Sequence, residues 1–144
     1  MDWELRVGRS ESLYEDALSV RKTVFVEEQG VDPDIEVDEH DATATHLAAY
    51  DDSGEPIGSG RFRSLDEETG KVERVAVLAD RRGSGLGRAI MARIEEIARE
   101  RGHERLVLHS QTRAEPFYER VGYERVGEEF EEAGIPHVEM HKEI

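Results

Sequence analysis

The spacing of apolar residues changes character several times along the chain, and each change marks an element. Trp3, Leu5 and Val7 alternate with polar neighbours, the period of a half-buried strand. Ser12 and Glu15 stand at capping-box spacing. Behind them Leu13, Ala17, Leu18, Val20, Arg21, Val24 and Phe25 recur at helical spacing, with Gly30 beyond the end, which predicts a first helix. Residues 31 to 43 are acidic and without a period, a mobile loop or a short helix. Strand patterns return in Thr45–Tyr50 and Ile57–Phe62, joined as a hairpin across Asp51-Asp52-Ser53-Gly54, with Gly58 and Gly60 weakening the second strand. Lys71 to Leu78 is the strongest strand pattern. Strict alternation there places Glu73, Val75 and Val77 on one face and Val72, Arg74, Ala76 and Leu78 on the other.

After a loop from Ala79 to Gly85 comes a long helix with Leu86, Ile90, Ile94 and Ile97 as its apolar stripe and Gly102 at its end. Leu106, Val107 and Leu108 form a short buried strand. Thr112 and Glu115 cap a short helix, with Pro116 in its first turn and Phe117, Tyr118 and Val121 before Gly122. Tyr123–Val126 and His137–His141 are two closing strands, with a loop Gly134-Ile135-Pro136 before the second. The order is strand, helix, three strands, helix, strand, helix, two strands. It predicts one α/β (α+β) domain over residues 1–144, built on a mixed, largely antiparallel sheet of six to seven strands flanked by helices.

Composition narrows the partners. The formal net charge is −15, from 34 acidic and 19 basic residues, so a nucleic-acid polyanion or an anionic membrane surface has no basic footprint to bind. The basic residues are lopsided: Lys22, Lys71 and Lys142 are the only lysines beside 16 arginines. An acidic, lysine-poor surface points to a salt-rich cytoplasm, where screening removes self-repulsion; an ordinary acidic cytosolic protein is the equal alternative, and unfolding across a salt series separates them. With no cysteine, disulfides, thiolate catalysis and cysteine-based zinc sites are excluded. No signal-peptide pattern opens the chain, and the longest apolar run, Val75 to Ala79, is far below a membrane span, so a soluble, cytoplasmic protein is expected.

The turn from Arg82 to Arg88 carries the chemistry. A strand, a glycine turn and a helix N-terminus together form a general anion grip, because free backbone N–H groups and the helix dipole both favour negative charge. Gly83, Gly85 and Gly87 let backbone approach a phosphate, and Arg82 and Arg88 add positive charge. A Walker loop is excluded because no lysine lies here. A dinucleotide fingerprint fails because Arg88 stands where the third glycine belongs. What remains is Arg-x-x-Gly-x-Gly on Arg82, Gly85 and Gly87, after the strand Arg74-Val75-Ala76-Val77-Leu78. This resembles the pyrophosphate loop of the GNAT N-acetyltransferases, which bind acetyl-CoA. Phe117-Tyr118-Glu119-Arg120-Val121-Gly122-Tyr123 is similar to the late Phe-Tyr-x-x-x-Gly-Phe segment of that family. Val24 to Gly30 and Glu132 to His137 resemble a branch of small single-domain members, so the similarity covers nearly the whole chain in order.

The resemblance implies a GNAT-like sheet in which the strand before the loop splays from the next one. The cofactor arm would pair along Val75, Ala76 and Val77, with a backbone N–H near Val75 polarising the thioester carbonyl. The pyrophosphate would rest on Arg82, Gly83, Ser84, Gly85, Leu86, Gly87 and Arg88. Tyr118 matches the tyrosine that protonates the leaving thiolate, and a phenol is a neutral donor near pH 7. Gln111 stands near the position where many relatives have an asparagine on the CoA arm. Glu73 is the first candidate for the base, through a water, because alternation aims it at the cleft of Val75 and Val77. His109 and His46 are alternatives, since imidazole titrates near neutrality, with His137 and His141 behind them. His40 lies among Glu36, Asp38 and Asp41, but a carboxylate-rich loop is ordinarily solvated, and no metal is assigned. The first helix and residues 31 to 43 flank the acceptor side, and acidity lining the cleft there would favour a cationic amine.

The expected activity is therefore transfer of an acetyl group from acetyl-CoA to a primary amine, small-molecule or peptide. Transfer is direct in a ternary complex, since no cysteine can form an acyl-enzyme. A non-catalytic acyl-CoA-binding or protein-interaction module on the same fold is the alternative. A homodimer is the default oligomer.

Overall fold

The computed structural model describes residues 3–144. Seven strands form one sheet in the order β1-β2-β3-β4-β5-β7-β6. They are β1 (Glu4–Gly8), β2 (Thr45–Tyr50), β3 (Pro56–Ser64), β4 (Thr69–Val77), β5 (Arg105–Gln111), β6 (Glu124–Glu132) and β7 (Ile135–Glu143). Every neighbouring pair is antiparallel except β4 and β5, which run parallel. The mixed, largely antiparallel sheet expected from the sequence is thus present.

Helix α1 (Glu11–Arg21) covers one face. Its N-cap is Ser10, whose hydroxyl accepts from the Leu13 N–H, so the cap lies two residues before the predicted Ser12. Leu13 and Ala17 pack on Ala48 and Tyr50, and Val20 and Val24 pack on Ala76. Beyond Arg21 the helix continues in wide turns over Lys22–Glu28, and the acidic segment that follows holds α2 (Pro33–Glu36) and a tight turn over Glu39–Ala42.

Helix α3 (Leu86–Glu100) covers the other face with the predicted stripe, extended by Met91 and Ala98. Burying each of the leucine, isoleucine and methionine side chains contributes roughly 1.5–3 kcal/mol. Gly58 and Gly60 turn out to be part of this packing: a Cβ at either would meet the side chains of Ile90, Ile94 or Leu86 at 3.0–3.3 Å. Their absence of side chains lets α3 sit directly on β3. Helix α4 (Glu115–Arg120) adds Phe117 and Tyr118 to the rim of the same core. It has no side-chain cap; the N-cap is Ala114, not the predicted Thr112. The predicted loop at residues 134 to 136 is a tighter hairpin: Glu132 pairs with Ile135, and Ala133 and Gly134 take φ of 53° and 75° between them. Among the described residues no helix is long and apolar enough to cross a membrane.

Candidate functional site

Two interruptions of the sheet create a cleft. The first is a divergence. β4 and β5 pair from Thr69↔Arg105 to Val72↔Leu108 and no further, although β4 continues to Val77 and β5 to Gln111. Beyond that vertex the inner edges of both strands face a cleft of about 770 Å³.

The second is a bulge in β4. Ser59 pairs with Ala76 and Arg61 with Glu73, so one extra residue of β4 stands opposite Gly60, and Arg74 takes φ of 55°. A non-glycine residue in that region costs roughly 1–3 kcal/mol and persists only when its surroundings hold it. Here the Arg74 carbonyl accepts from Ser59 Oγ at 2.9 Å. Its guanidinium donates to the Glu36 carbonyl at 3.1 Å and to Asp38 Oδ2 at 3.2 Å. The bulge reverses the alternation read from the sequence. Val77 lies opposite Gly58 on the α3 face, while Glu73 lies opposite Arg61 and Ala76 opposite Ser59 on the α1 face. Glu73 therefore does not share a face with Val75 and Val77, although all three line the cleft.

Glu73 is also not a free carboxylate. Oε1 accepts from Arg61 Nη2 at 2.9 Å and Arg63 Nε at 2.7 Å, and Lys71 Nζ stands 3.4 Å from Oε2. Burial alone would raise its pKa, but Arg63, Arg61 and Lys71 together hold it below the ordinary carboxylate range. That direction weakens it as a proton acceptor.

Glu73 is one end of an ion-pair network absent from the sequence reading. Arg61 is fully buried and binds Asp38 at 2.7 Å and Asp41 at 2.9 Å. Arg21, on the buried stripe of α1, binds Glu36 at 2.7 Å and Asp41 at 2.8 Å. Glu36, Asp38 and Asp41 of the acidic segment are consequently paired with arginines, so Glu36 and Asp38, which line the cleft, are not free carboxylates there. Against the burial that would raise it, Arg21 and Arg61 hold the Asp41 carboxyl at about 2, down from 3.8. Because the folded value is the lower one, Asp41 stabilises the fold fully above about pH 4. That contribution, roughly 2 kcal/mol, disappears as pH falls towards 2. Urea unfolding between pH 5 and pH 2 is expected to show this loss, and Asp41→Asn is expected to flatten it.

Tyr118 lines the cleft from α4. Its ring meets Phe117 edge-on at 5.0 Å and Tyr123 at 6.1 Å. Burial alone pushes its pKa up to about 12, so the phenol keeps its proton at neutral pH. Gln111, at the end of β5, donates from Nε2 to Gln29 Oε1 at 2.6 Å. Arg82 donates from Nε to the Val77 carbonyl and through both terminal nitrogens to Glu28, at 2.8 and 2.9 Å. Glu28 and Gln29 thus tie the end of the wide-turned helix to both arms of the divergence.

Val75, Ala76, Val77, Arg82 and Gln111 all line the cleft. Gly83 to Arg88 lie outside its wall and form the turn from Arg82 into α3. Gly85 is the N-cap at φ 91°, with Gly83 at 79°, conformations that favour glycine. Ser84 Oγ donates to the Arg81 carbonyl. The Leu86 side chain is buried in the core, and its backbone N–H donates to Ser84 Oγ at 3.4 Å. Gly87 faces Phe117, 3.2 Å from where a Cβ would stand, and so brings α4 close to the loop. Arg88 is exposed.

Of the histidines, His109, His137 and His40 line the cleft. His109 Nδ1 lies 3.0 Å from Glu132 Oε1. His46 lies outside it, buried against Tyr14 with its pKa lowered by burial, and His141 is bonded to Glu139. Among the described residues no cluster of three or more potential ligands has the arrangement of a metal site.

The geometry has recognisable counterparts. An acetyltransferase (GNAT) domain model matches residues 13–144. The uncharacterised N-acetyltransferase YjcF of Bacillus subtilis is 41% identical over 138 residues, spanning 95% of this chain and 97% of its own. A Lactobacillus plantarum protein assigned as an N-acetyltransferase superposes with a TM-score of 0.92 at 30% identity, over 99% of both chains. Escherichia coli ElaA superposes with a TM-score of 0.83 at 28% identity, over 98% of both chains. With a family match over most of its length and a relative of this identity, the chain belongs to the GNAT acetyltransferases.

Proposed function

We propose that the protein is an acetyl-CoA-dependent N-acetyltransferase that passes the acetyl group directly to a primary amine held in the same cleft. The observation that carries this reading is the divergence of β4 and β5. It opens a cleft with unpaired inner strand edges, a glycine-rich helix N-terminus adjoining one end and a protonated tyrosine in its wall. The residues fit an extended, amide-bearing arm ending in phosphates: strand edges pair with amides, and the α3 N-terminus and Arg82 suit phosphate. A GNAT acetyltransferase of Elizabethkingia anophelis with acetyl-CoA bound shares this fold at 16% identity and a TM-score of 0.71, which supports the reading at the level of fold.

Acetyl-CoA supplies the activated acyl group; the protein supplies position and protons. The inner edge of Val75 to Val77 holds the arm, with a backbone N–H at the bulge directed to where negative charge develops. Residues 82 to 88 take the pyrophosphate, which displaces Glu28 from Arg82. Gln111 turns from Gln29 to the arm. Tyr118 gives its phenolic proton to the departing sulfur. Glu73, kept ionised by its three cationic neighbours, takes the acceptor's proton through a water; its lowered basicity makes this the weaker of the two proton assignments. The amine arrives from the α1 face, where Glu73 and His109 stand at the vertex.

The test combines CoA binding by calorimetry with thiol release from acetyl-CoA across a broad panel of primary amines. Saturable binding with amine-dependent thiol release is expected. Binding without release on any amine supports the binding module in place of the enzyme, and no CoA binding removes both readings.

A further inference from the structure

We propose that the acceptor carries an anionic group, a carboxylate or phosphate, beside its reactive amine, and that Arg63 and Lys71 receive it. This rests on the acetyl-transfer reading above and names the substrate class of that site.

The argument begins with charge. Ion pairs link five cations, Arg21, Arg61, Arg63, Lys71 and Arg74, to four carboxylates, Glu36, Asp38, Asp41 and Glu73. Within this network cations outnumber carboxylates by one, in a chain whose net charge is −15. The excess is not spread evenly. Arg21, Arg61 and Arg74 each bind two or more carboxylates, whereas Arg63 and Lys71 share one, Glu73, which Arg61 also claims. Lys71 stands 3.4 Å from it, beyond a good charge-assisted hydrogen bond. Across the cleft, Glu132 is 3.0 Å from His109 and 3.7 Å from His137; His109 chiefly, with help from His137 and Lys71, holds its carboxyl low, but no ion pair joins Lys71 to Glu132.

Position is the second strand of the argument. Lys71 pairs with Val107 in β5, one step from the vertex pair Val72↔Leu108, and with Arg63 in β3. Both side chains line the cleft, 24% and 16% exposed, which is enough for contact and little enough to limit screening. The phosphate loop lies at the opposite end of β4, after Val77, so an arm laid from loop to vertex delivers its acyl end beside this pair. A guanidinium fork with an ammonium next to it matches the oxygens of a carboxylate or phosphate.

The experiment compares acceptors that differ only in the anionic group: an amino acid, its carboxamide and the decarboxylated amine, with thiol release from acetyl-CoA as readout. The carboxylate member is expected to have a kcat/KM at least about tenfold higher. The double variant Arg63→Gln, Lys71→Gln is expected to erase the preference mainly through the acceptor KM, with the CoA dissociation constant unchanged. In parallel, benzoate and methyl phosphate are titrated by NMR into CoA-saturated protein; saturable binding at the cleft, weakened about tenfold in the double variant, is expected. Preference for the amide or the bare amine, or an undiminished preference in the double variant, overturns the proposal. Should no amine be acetylated, the titration decides alone, and absent anion binding overturns it. Failure of CoA itself to bind refutes the proposed function instead, and the titration on the free protein still decides this point.

Discussion

Replacing Arg61 with methionine is expected to lower the unfolding free energy by roughly 3–5 kcal/mol, the range for removing one partner of a buried ion pair. Arg61 is fully buried and donates to Asp38, Asp41 and Glu73 through all three guanidinium nitrogens. Methionine keeps an unbranched apolar stem but ends short of the guanidinium, so the loss is chiefly of charge and hydrogen bonds, with a smaller packing part. Arg21 and Arg74 keep part of Asp41 and Asp38 compensated, and Arg63 and Lys71 part of Glu73. These remaining pairs place the loss inside that range instead of above it. Lysine at the same position retains the charge but not the planar fork, and should cost less. Urea unfolding of the three proteins at pH 7 measures both. A loss for methionine under about 1 kcal/mol would mean that the three carboxylates redistribute among the surrounding cations, and the network would then be a store of spare partners, not a keystone arginine. The same variant reaches function, because Glu73 and the Arg74 bulge form one wall of the cleft and both are tied to the residues Arg61 holds.

What could be read in advance follows from what a period can encode. Helix α3 was legible because one stripe, Leu86 to Ile97, meets one surface and nothing interrupts it. The glycine turn into α3 was legible because glycines at 83 and 85 answer to backbone angles, which the sequence records directly. The face of Glu73 was misread because alternation assumes an unbroken pleat, and the bulge at Arg74 is imposed from outside the strand, by Ser59 and by the acidic segment. The network left a partial trace. Arg21 falls on the apolar stripe of α1, where a charge must find a buried partner, but the partners, Glu36 and Asp41, lie 15 and 20 residues on in a segment without a period. Long-range pairing of this kind has no local signature. The same is true of Gly58 and Gly60, which weaken the strand pattern for a reason that becomes visible only when α3 lies across them.

Tyr118→Phe is expected to reduce kcat by roughly 10²–10⁴, the contribution of a positioned general acid, which corresponds to about 3–5 kcal/mol of barrier. The substitution deletes one oxygen and leaves the edge-on contacts of the ring with Phe117 and Tyr123 able to form. The CoA dissociation constant should therefore not move, and the whole effect should appear in turnover. The pH profile adds an independent readout. Since burial holds the phenol proton to about pH 12, the wild type should show no loss of activity from Tyr118 deprotonation between pH 6 and 10. A falling alkaline limb in that window would have to belong to another group. An unchanged kcat in the phenylalanine variant would return Tyr118 to the role of a core aromatic and leave the thiolate to depart with a proton taken from water. A fall in kcat accompanied by weaker CoA binding would instead show that the hydroxyl anchors the arm. Only the combination of lost turnover and intact binding assigns the proton to Tyr118, since a group that acts in the transition state alone leaves ground-state affinity where it was.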